Sequence, residues 1–405
     1  MKRLLSVCLS LCIMVSVFVS FDITASAKTN LKKTTVSASN ISNGINVSWK
    51  KVSGAKKYSV VKKTNSKTVK YLDKKVSAGK TYSYQVVAVK GKETSKSKTK
   101  SITRLLAPKN VKVQSYASKT DCTLKGSKAD YVFDNVFNFD SKLGVKITWN
   151  KSKGANKYDI YRKVDNSKKY RKIKTVGNIS TYVDRESFFS VVNLSYKVVA
   201  RKNTSASDYS TTRKICYVEP SYIFTHSLSD ELLVSWTQVA GCDGYRLYRS
   251  LTGKAGSYSF IGKYTTKDYK YEEKNAELGK TYYYKLVAYK GSNNSVGLTI
   301  KEKYEPVTTV NLNVGDTSDS VQKQFKKTLA KINKDLKRNM SDLYQEVTFD
   351  KIMESIRIES KDEKVATVSK DYIITAVSQG TIKAPIIQKL GNFEFEKGFI
   401  LINVN

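Results

Sequence analysis

Histidine is all but absent from this sequence: His226 is the only one among 405 residues. A serine or cysteine nucleophile activated by a base ordinarily needs a histidine held by a third group. His226 sits in an apolar, alternating stretch with no Gly-x-Ser-x-Gly elbow elsewhere, and reads as a strand residue. The chain also lacks a phosphate-cradling Gly-x-x-x-x-Gly-Lys-Ser/Thr loop, a Gly-x-Gly-x-x-Gly fingerprint and a His-Glu-x-x-His pair. No catalytic residue, no metal ligand and no cofactor is therefore assigned. Paired-carboxylate chemistry stays open, because its two acids lie far apart in a chain.

Cysteine and proline are nearly as scarce. Five cysteines occur, and Cys8 and Cys12 fall in an N-terminal apolar run. The other three, Cys122, Cys216 and Cys242, are odd in number and widely spaced, which is neither a disulfide framework nor a zinc pattern. A Cys122–Cys216 pair and three thiols without a role both remain open. Of four prolines, Pro108, Pro220 and Pro306 each open a new segment, where an edge strand tolerates the missing N–H.

No long hydrophobic run follows residue 21. Before it, Lys2 and Arg3 precede the apolar stretch Leu4 to Phe21, and Ala25-Ser26-Ala27 fits a cleavage site. This pattern predicts a signal peptide over residues 1–27, hence a secreted, extracellular protein with no transmembrane segment after cleavage, retained on the surface non-covalently if at all.

What is present is repetition. Each of the three tryptophans closes the same phrase: Val47-Ser48-Trp49, Ile147-Thr148-Trp149 and Val234-Ser235-Trp236. Five residues on comes Gly54, Gly154 or Gly241, and nine on comes Tyr58, Tyr158 or Tyr245. Later in each copy stands a Tyr-x-x-x-Ala strand: Tyr84 to Ala88, Tyr196 to Ala200 and Tyr284 to Ala288. Period-two alternation around these phrases is that of strands with one buried face. One β-domain has been copied three times.

These phrases resemble the fibronectin type III family: a Trp on strand B, Gly-x-x-x-Tyr into strand C, and Gly-x-Thr-Tyr-x-Tyr-x-Val-x-Ala into strand F. The resemblance covers residues 30 to 305. It implies an all-β architecture of three tandem immunoglobulin-like sandwiches, each of seven strands. It also places Tyr82 and Tyr282 at the tyrosine corner, where copy two has Leu194. The expected domains are 28–105, 106–219 and 220–305. Copy two carries an insertion near 118–143, whose Asp121, Asp130, Asp134 and Asp140 do not have calcium-loop spacing.

From residue 306 the pattern changes. Val321, Phe325, Leu329, Ile332 and Leu336 recur at helical spacing, predicting a helix near 319–338 opened by a capping box of Asp319 and Gln322. Ser360 to Ser369 and Ile374 to Ile382 then resemble the bacterial immunoglobulin-like group 2 family. Residues 306–405 are read as such a β-domain with one inserted helix.

Charge and tyrosine supply the candidate sites. The net charge is +37, and residues 28–105 hold 20 lysines and arginines against Asp73 and Glu93. Such a field attracts polyanions. Lys96, Lys98 and Lys100 are expected on one strand face, with Lys90 and Lys92 beside them. The lysines of the helix, Lys323, Lys326 and Lys327 among them, read as the solvated side of a packed helix. In copy three, strand parity turns Tyr245, Leu247, Tyr282, Tyr284 and Leu286 inward. Tyr248, Tyr283 and Tyr289 then face out, a candidate platform for stacking on sugar rings; Tyr161 faces out in copy two. Copy one has Val61, Ser83 and Val89 at the matching places. The expected function is a non-catalytic binding or spacer protein of the bacterial surface or medium. Its expected partners are cell-wall or extracellular polysaccharide, another polyanion or a protein, with no specific nucleic acid recognition. The alternative is a carbohydrate-active accessory protein or an unrecognised glycoside hydrolase.

Overall fold

The computed structural model describes residues 31–60, 63–65, 69–120, 142–165, 167–186, 188, 190–327, 330, 355–390 and 393–405. The signal peptide, Val61, Cys122, the four aspartates of the insertion and the predicted helix positions 329, 332 and 336 lie outside them. The chain divides between Arg104 and Leu105 into two compact units.

Copy one is a sandwich of a three-stranded and a four-stranded sheet. Val36–Ile41, Gly44–Trp49 and Lys70–Asp73 form the first sheet. Lys63–Asn65, Lys57–Ser59, Val87–Lys90 and Glu93–Lys96 form the second, and Thr81–Tyr84 pairs with Lys100–Thr103. Copy two repeats the plan. Lys109–Ala117, Leu143–Asn150 and Thr181–Asp184 face a sheet of Arg171–Val176, Lys157–Val164 and Val191–Lys202, closed by Ser205–Ala206 and Arg213–Val218. In copy three the strands are Ile223–Ser227, Leu232–Trp236 and Lys270–Glu273, then Ser259–Tyr264, Gly244–Ser250 and Thr281–Lys290, with Asn293–Asn294 and Leu298–Lys303.

The repeated phrase is the core and its turn. Trp49, Trp149 and Trp236 are buried, with ring centroids 5.5, 5.4 and 5.8 Å from Tyr58, Tyr158 and Tyr245. Each of these tyrosines is buried yet keeps a partner for its hydroxyl. Tyr58 accepts the N–H of Val52 at 2.7 Å, Tyr158 that of Ser152 at 2.8 Å, and Tyr245 that of Val239 at 2.8 Å. The turn thus clamped passes through Gly54, Gly154 or Gly241 at φ +80°, +84° and +79°. Glycine enters that left-handed region without the cost a side chain incurs. Trp, Gly and Tyr are therefore one device: a ring pair, a turn and the hydrogen bond that closes it.

The tyrosine corner forms where the resemblance placed it. Tyr82 accepts the Ser77 N–H at 2.8 Å and Tyr282 that of Glu277 at 2.9 Å. Leu194 in copy two is core, fully buried. A second repeated device emerges only in three dimensions. The acid that ends Lys70–Asp73, Thr181–Asp184 or Lys270–Glu273 is buried against the tyrosine of the Tyr-x-x-x-Ala strand: Asp73 with Tyr84 at 2.8 Å, Asp184 with Tyr196 at 2.8 Å, and Glu273 with Tyr284 at 3.4 Å. Arg162 completes the group in copy two and Arg249 in copy three.

The last strand of every copy is interrupted, at residues 97–99, 207–212 and 295–297. Serine hydroxyls fill the gaps in the ladder. Ser97 accepts from Val86 N, Ser207 from Ala200 N, Ser210 from Val198 N and Ser295 from Ala288 N, all within 3.0 Å. Buried donors are thereby satisfied while the edge stops being a continuous template for another strand.

The C-terminal domain is also a β-sandwich. Thr308–Leu312, Phe393–Val404, Gly380–Leu390 and Ile356–Ile358 form one sheet, the first pair parallel; Thr317–Ser318, Ile374–Ala376 and Ala366–Val368 form the other. The helix spans 320–327 among the described residues, with Val321 and Phe325 buried as predicted. Its start differs from a capping box. Gln322 donates to the Asp371 carbonyl at 3.1 Å, and the Ser318 hydroxyl accepts Ser320 N at 3.2 Å. Tertiary contact with the Tyr372 turn outcompetes the local reach back to Asp319.

Copies two and three and the C-terminal domain share seams. Val191 N donates to Ala240 O at 2.8 Å, and Val218 joins the core of copy three. Phe399 of the C-terminal sheet joins that same core, and the Lys383 ammonium of that sheet donates to the Tyr304 hydroxyl of copy three at 3.1 Å.

Candidate binding faces of the sandwiches

Copy three confirms the strand parity. Tyr245, Leu247, Tyr282, Tyr284 and Leu286 are buried, whereas Tyr248, Tyr283 and Tyr289 are half-buried on the opposite face. Register fixes their spacing: Tyr289 lies opposite Gly244, Tyr248 opposite Lys285 and Tyr283 opposite Ser250. Tyr283 and Tyr289 are thus six residues apart on one strand, about 20 Å at the usual rise. Tyr248 stands between their rows.

The three rings are not a bare aromatic surface. Arg246 stacks its guanidinium 4.0 Å from the centre of Tyr289 and donates to Asn294 Oδ1 at 2.6 Å. The Lys285 ammonium lies 4.5 Å from the Tyr248 ring and 5.0 Å from the Tyr258 ring. Tyr248 also meets Phe260 edge-on at 5.5 Å. Tyr283 is covered by the hairpin turn: a Cβ on Gly253, at φ +70°, would fall 2.5 Å from the Tyr283 ring. Of the predicted trio, Tyr248 is joined by Tyr258 and Phe260 to a common cluster, Tyr289 belongs to an arginine stack, and Tyr283 to the turn. Sequence reasoning missed Tyr258 and Phe260. Their signal was the alternation in residues 257–260, but pairing Phe260 with Tyr248 needs the register shift at Leu247 and Tyr248.

In copy one Lys90, Lys92, Lys96 and Lys98 are exposed. Lys100 differs from the expectation. It lies opposite Tyr84, which is buried, so it leaves from the core side of its ladder; the next residue, Ser101, pairs outward with Ser83. The break at residues 97–99 reverses strand parity, so Lys100 leaves from the face opposite to that of Lys96.

His226 lies on strand Ile223–Ser227, opposite Leu233. Burial and the neighbouring Lys397 push its imidazole down to about 4. Burial likewise lowers Lys397 and raises the carboxyl of Glu396, which receives the Ser229 N–H at 2.5 Å. Among the described residues no three His, Cys, Asp or Glu side chains gather as a metal site, and no helix is long and apolar enough to cross a membrane. Cys216 and Cys242 are free thiols; Cys122 lies outside the described residues.

Solved fibronectin type III structures are similar to this chain. Three such domains of chicken CNTN1 match at 17% identity, covering 66% of this chain and 97% of that one, with a TM-score of 0.21. A two-domain fibronectin type III segment of chicken tenascin matches at 15% identity, covering 48% of this chain and 98% of that one, with a TM-score of 0.25. No protein-family profile and no curated protein matches. The strand order and register above make copy one a sandwich of three- and four-stranded sheets, and copies two and three sandwiches of three- and five-stranded sheets.

Proposed function

We propose that this is an exported bacterial binding and spacer protein, without catalysis of its own, that engages polysaccharide or anionic wall polymer at the cell surface or in the medium. The observation that carries this reading is the cluster of Tyr248, Tyr258 and Lys285 on copy three. Two half-buried rings bracket an amine on the outer face of a sheet whose inner face is committed to the core. Tyrosine offers an apolar ring and a polar tip on a stiff side chain, suited to sugar C–H groups and hydroxyls together. The amine adds preference for acidic sugars. The same proposal makes the C-terminal sandwich a group 2 bacterial immunoglobulin-like domain serving as a further spacer.

Two observations support the non-catalytic part. The sole histidine is half-buried beside Lys397, with its pKa pushed down to about 4, so it is neutral near pH 7. The tandem sandwiches place their titratable interiors in structural acid–tyrosine groups rather than in an open cleft. Incubating the protein with wall and plant polysaccharides tests the reading. Bound protein without released reducing sugar is expected, with affinity falling steeply as salt rises. Release of sugar turns the assignment to a glycoside hydrolase. Binding that survives Tyr248→Ala together with Tyr258→Ala removes copy three from the site.

A further inference from the structure

We infer that copy two, not copy three, carries the stronger site, and that its ligand is an anionic polysaccharide. This rests on the polysaccharide-binding reading above and names where and for which charge class it holds.

The outer face of copy two repeats the ring–amine–ring cluster and adds cations. Tyr161 occupies the place of Tyr248, opposite Lys197 as Tyr248 is opposite Lys285. The Lys197 ammonium lies 4.4 Å from the Tyr170 ring and 5.0 Å from the Tyr209 ring. Tyr209, 46% exposed, meets Tyr161 edge-on at 5.2 Å. Lys163 approaches Tyr170 at 6.0 Å, and Lys172 stands opposite Tyr161 where copy three has Phe260 opposite Tyr248. The flanking run from Lys168 to Lys174 holds five lysines and arginines, all exposed.

The nearby carboxylates offset this charge only in part: exposed Asp165 and Asp208 stand against Lys163, Lys197 and the five cations of the 168–174 run. Asp159 is buried and bound by Arg201 at 2.7 Å and the Thr175 hydroxyl at 2.7 Å, so its own pair neutralises it; Lys172 reaches it only at 3.9 Å. Asp208 folds back to accept Tyr209 N, and Asp165 accepts Asn193 N. Lysines on an edge strand also block edge pairing. That role needs no aromatic rings on the neighbouring strands, whereas three tyrosines interleaved with Lys163, Lys172 and Lys197 make a surface that is both ring-binding and anion-binding. Lys197 lies over the Tyr170 and Tyr209 rings and Tyr209 meets Tyr161 at 81°, so the amines and tyrosine hydroxyls, which suit sugar carboxylates and hydroxyls, contribute more here than broad stacking on a base.

The test uses the full chain with polygalacturonate, a neutral dextran and poly(dT) as probes in low-salt affinity electrophoresis. Polygalacturonate is expected to bind and dextran to bind at least tenfold more weakly. Tyr170→Ala with Lys197→Ser should weaken polygalacturonate binding tenfold or more. The matched change in copy three, Tyr258→Ala with Lys285→Ser, should weaken it less than threefold. Lys163→Ser with Lys172→Ser, which touches exposed or half-exposed amines only, guards against misfolding and should lower both affinity and salt dependence. Polygalacturonate binding unchanged by both copy-two variants, or lost equally with the copy-three change, overturns this inference and leaves the general reading standing. Tighter binding of poly(dT) overturns the ligand class. Binding to no polysaccharide at all overturns both.

Discussion

At the centre of copy three's outer sheet Tyr248 meets Phe260 across the strand pair; at the same place in copy two Tyr161 meets Lys172. Arg246 stacked on Tyr289 in copy three is replaced by Asp159 bound to Arg201 in copy two. The inward residues between them hardly change: Tyr245 and Leu247 against Tyr158 and Ile160, all fully buried. Side chains on a strand alternate between faces, so a core specifies one set of positions and leaves the other set free. Two domains of one fold can thus offer a cationic and a more neutral aromatic face without altering what holds them together.

The buried charges sharpen the comparison. In copy two Arg162 and Asp184 are both nearly inaccessible, at 8% and 6%, and lie 2.8 Å apart. In copy three Glu273 is equally buried but Arg249 is 41% exposed. Removing one partner of a buried pair strands the other, at a cost of about 3–5 kcal/mol. Arg162→Ala should therefore destabilise copy two by about that amount, whereas Arg249→Ala should cost copy three only about 1–2 kcal/mol, because water reaches the vacated site. Each copy has one tryptophan, so denaturation followed by Trp149 or Trp236 fluorescence, with the other tryptophans replaced by Phe, reads the two separately. Equal losses would show that exposure of the arginine does not decide the strength of the pair.

Acid should also divide the copies. The folded His226 has its pKa depressed to about 4, below its unfolded value near 6.5. Between those values the unfolded chain binds the extra proton. Stability of copy three should be full above pH 6.5 and fall as pH drops towards 4, by up to about 3 kcal/mol. Glu396 opposes this, since burial raises its pKa and favours the protonated folded form at low pH. His226→Gln should flatten the slope seen through Trp236 and leave the Trp149 signal unchanged.

A smaller and uniform effect is expected from the turn clamps. Tyr58→Phe, Tyr158→Phe and Tyr245→Phe each leave one backbone N–H without its partner and should cost about 1–2 kcal/mol. A copy that tolerates the change would show that water replaces the hydroxyl there. The smallest expected effect lies on the outer face. Tyr283→Ala removes the ring beneath the Gly253 turn and should cost about 1 kcal/mol, with Tyr289→Ala below that, as thermal shifts of the full chain would reveal.

The architecture was legible because its signals are periodic and local. Trp49, Trp149 and Trp236 recur with a glycine and a tyrosine at fixed distance, and alternation then assigns every neighbour to a face. Buried apolar positions and the outward turn of Tyr248 follow from counting residues, and the tyrosine corners at Tyr82 and Tyr282 from the resemblance to fibronectin type III domains. What counting does not supply is register and its interruptions. The break at residues 97–99 puts Lys100 on the core side of its ladder, and the shift at Leu247 and Tyr248 brings Phe260 to Tyr248. A one-residue slip reverses a strand's faces, and nothing in its composition announces the slip. Tertiary structure also decided the partners of charge. Asp73, Asp184 and Glu273 found their tyrosines, and Lys197 settled on Tyr170 and Tyr209, across strands far apart in sequence. The sequence by itself determined which apolar residues of the repeated phrases are buried, because their burial follows the local period. Which outward residues meet depends on how strands are set beside one another, and that is fixed only when the sheets close over the core.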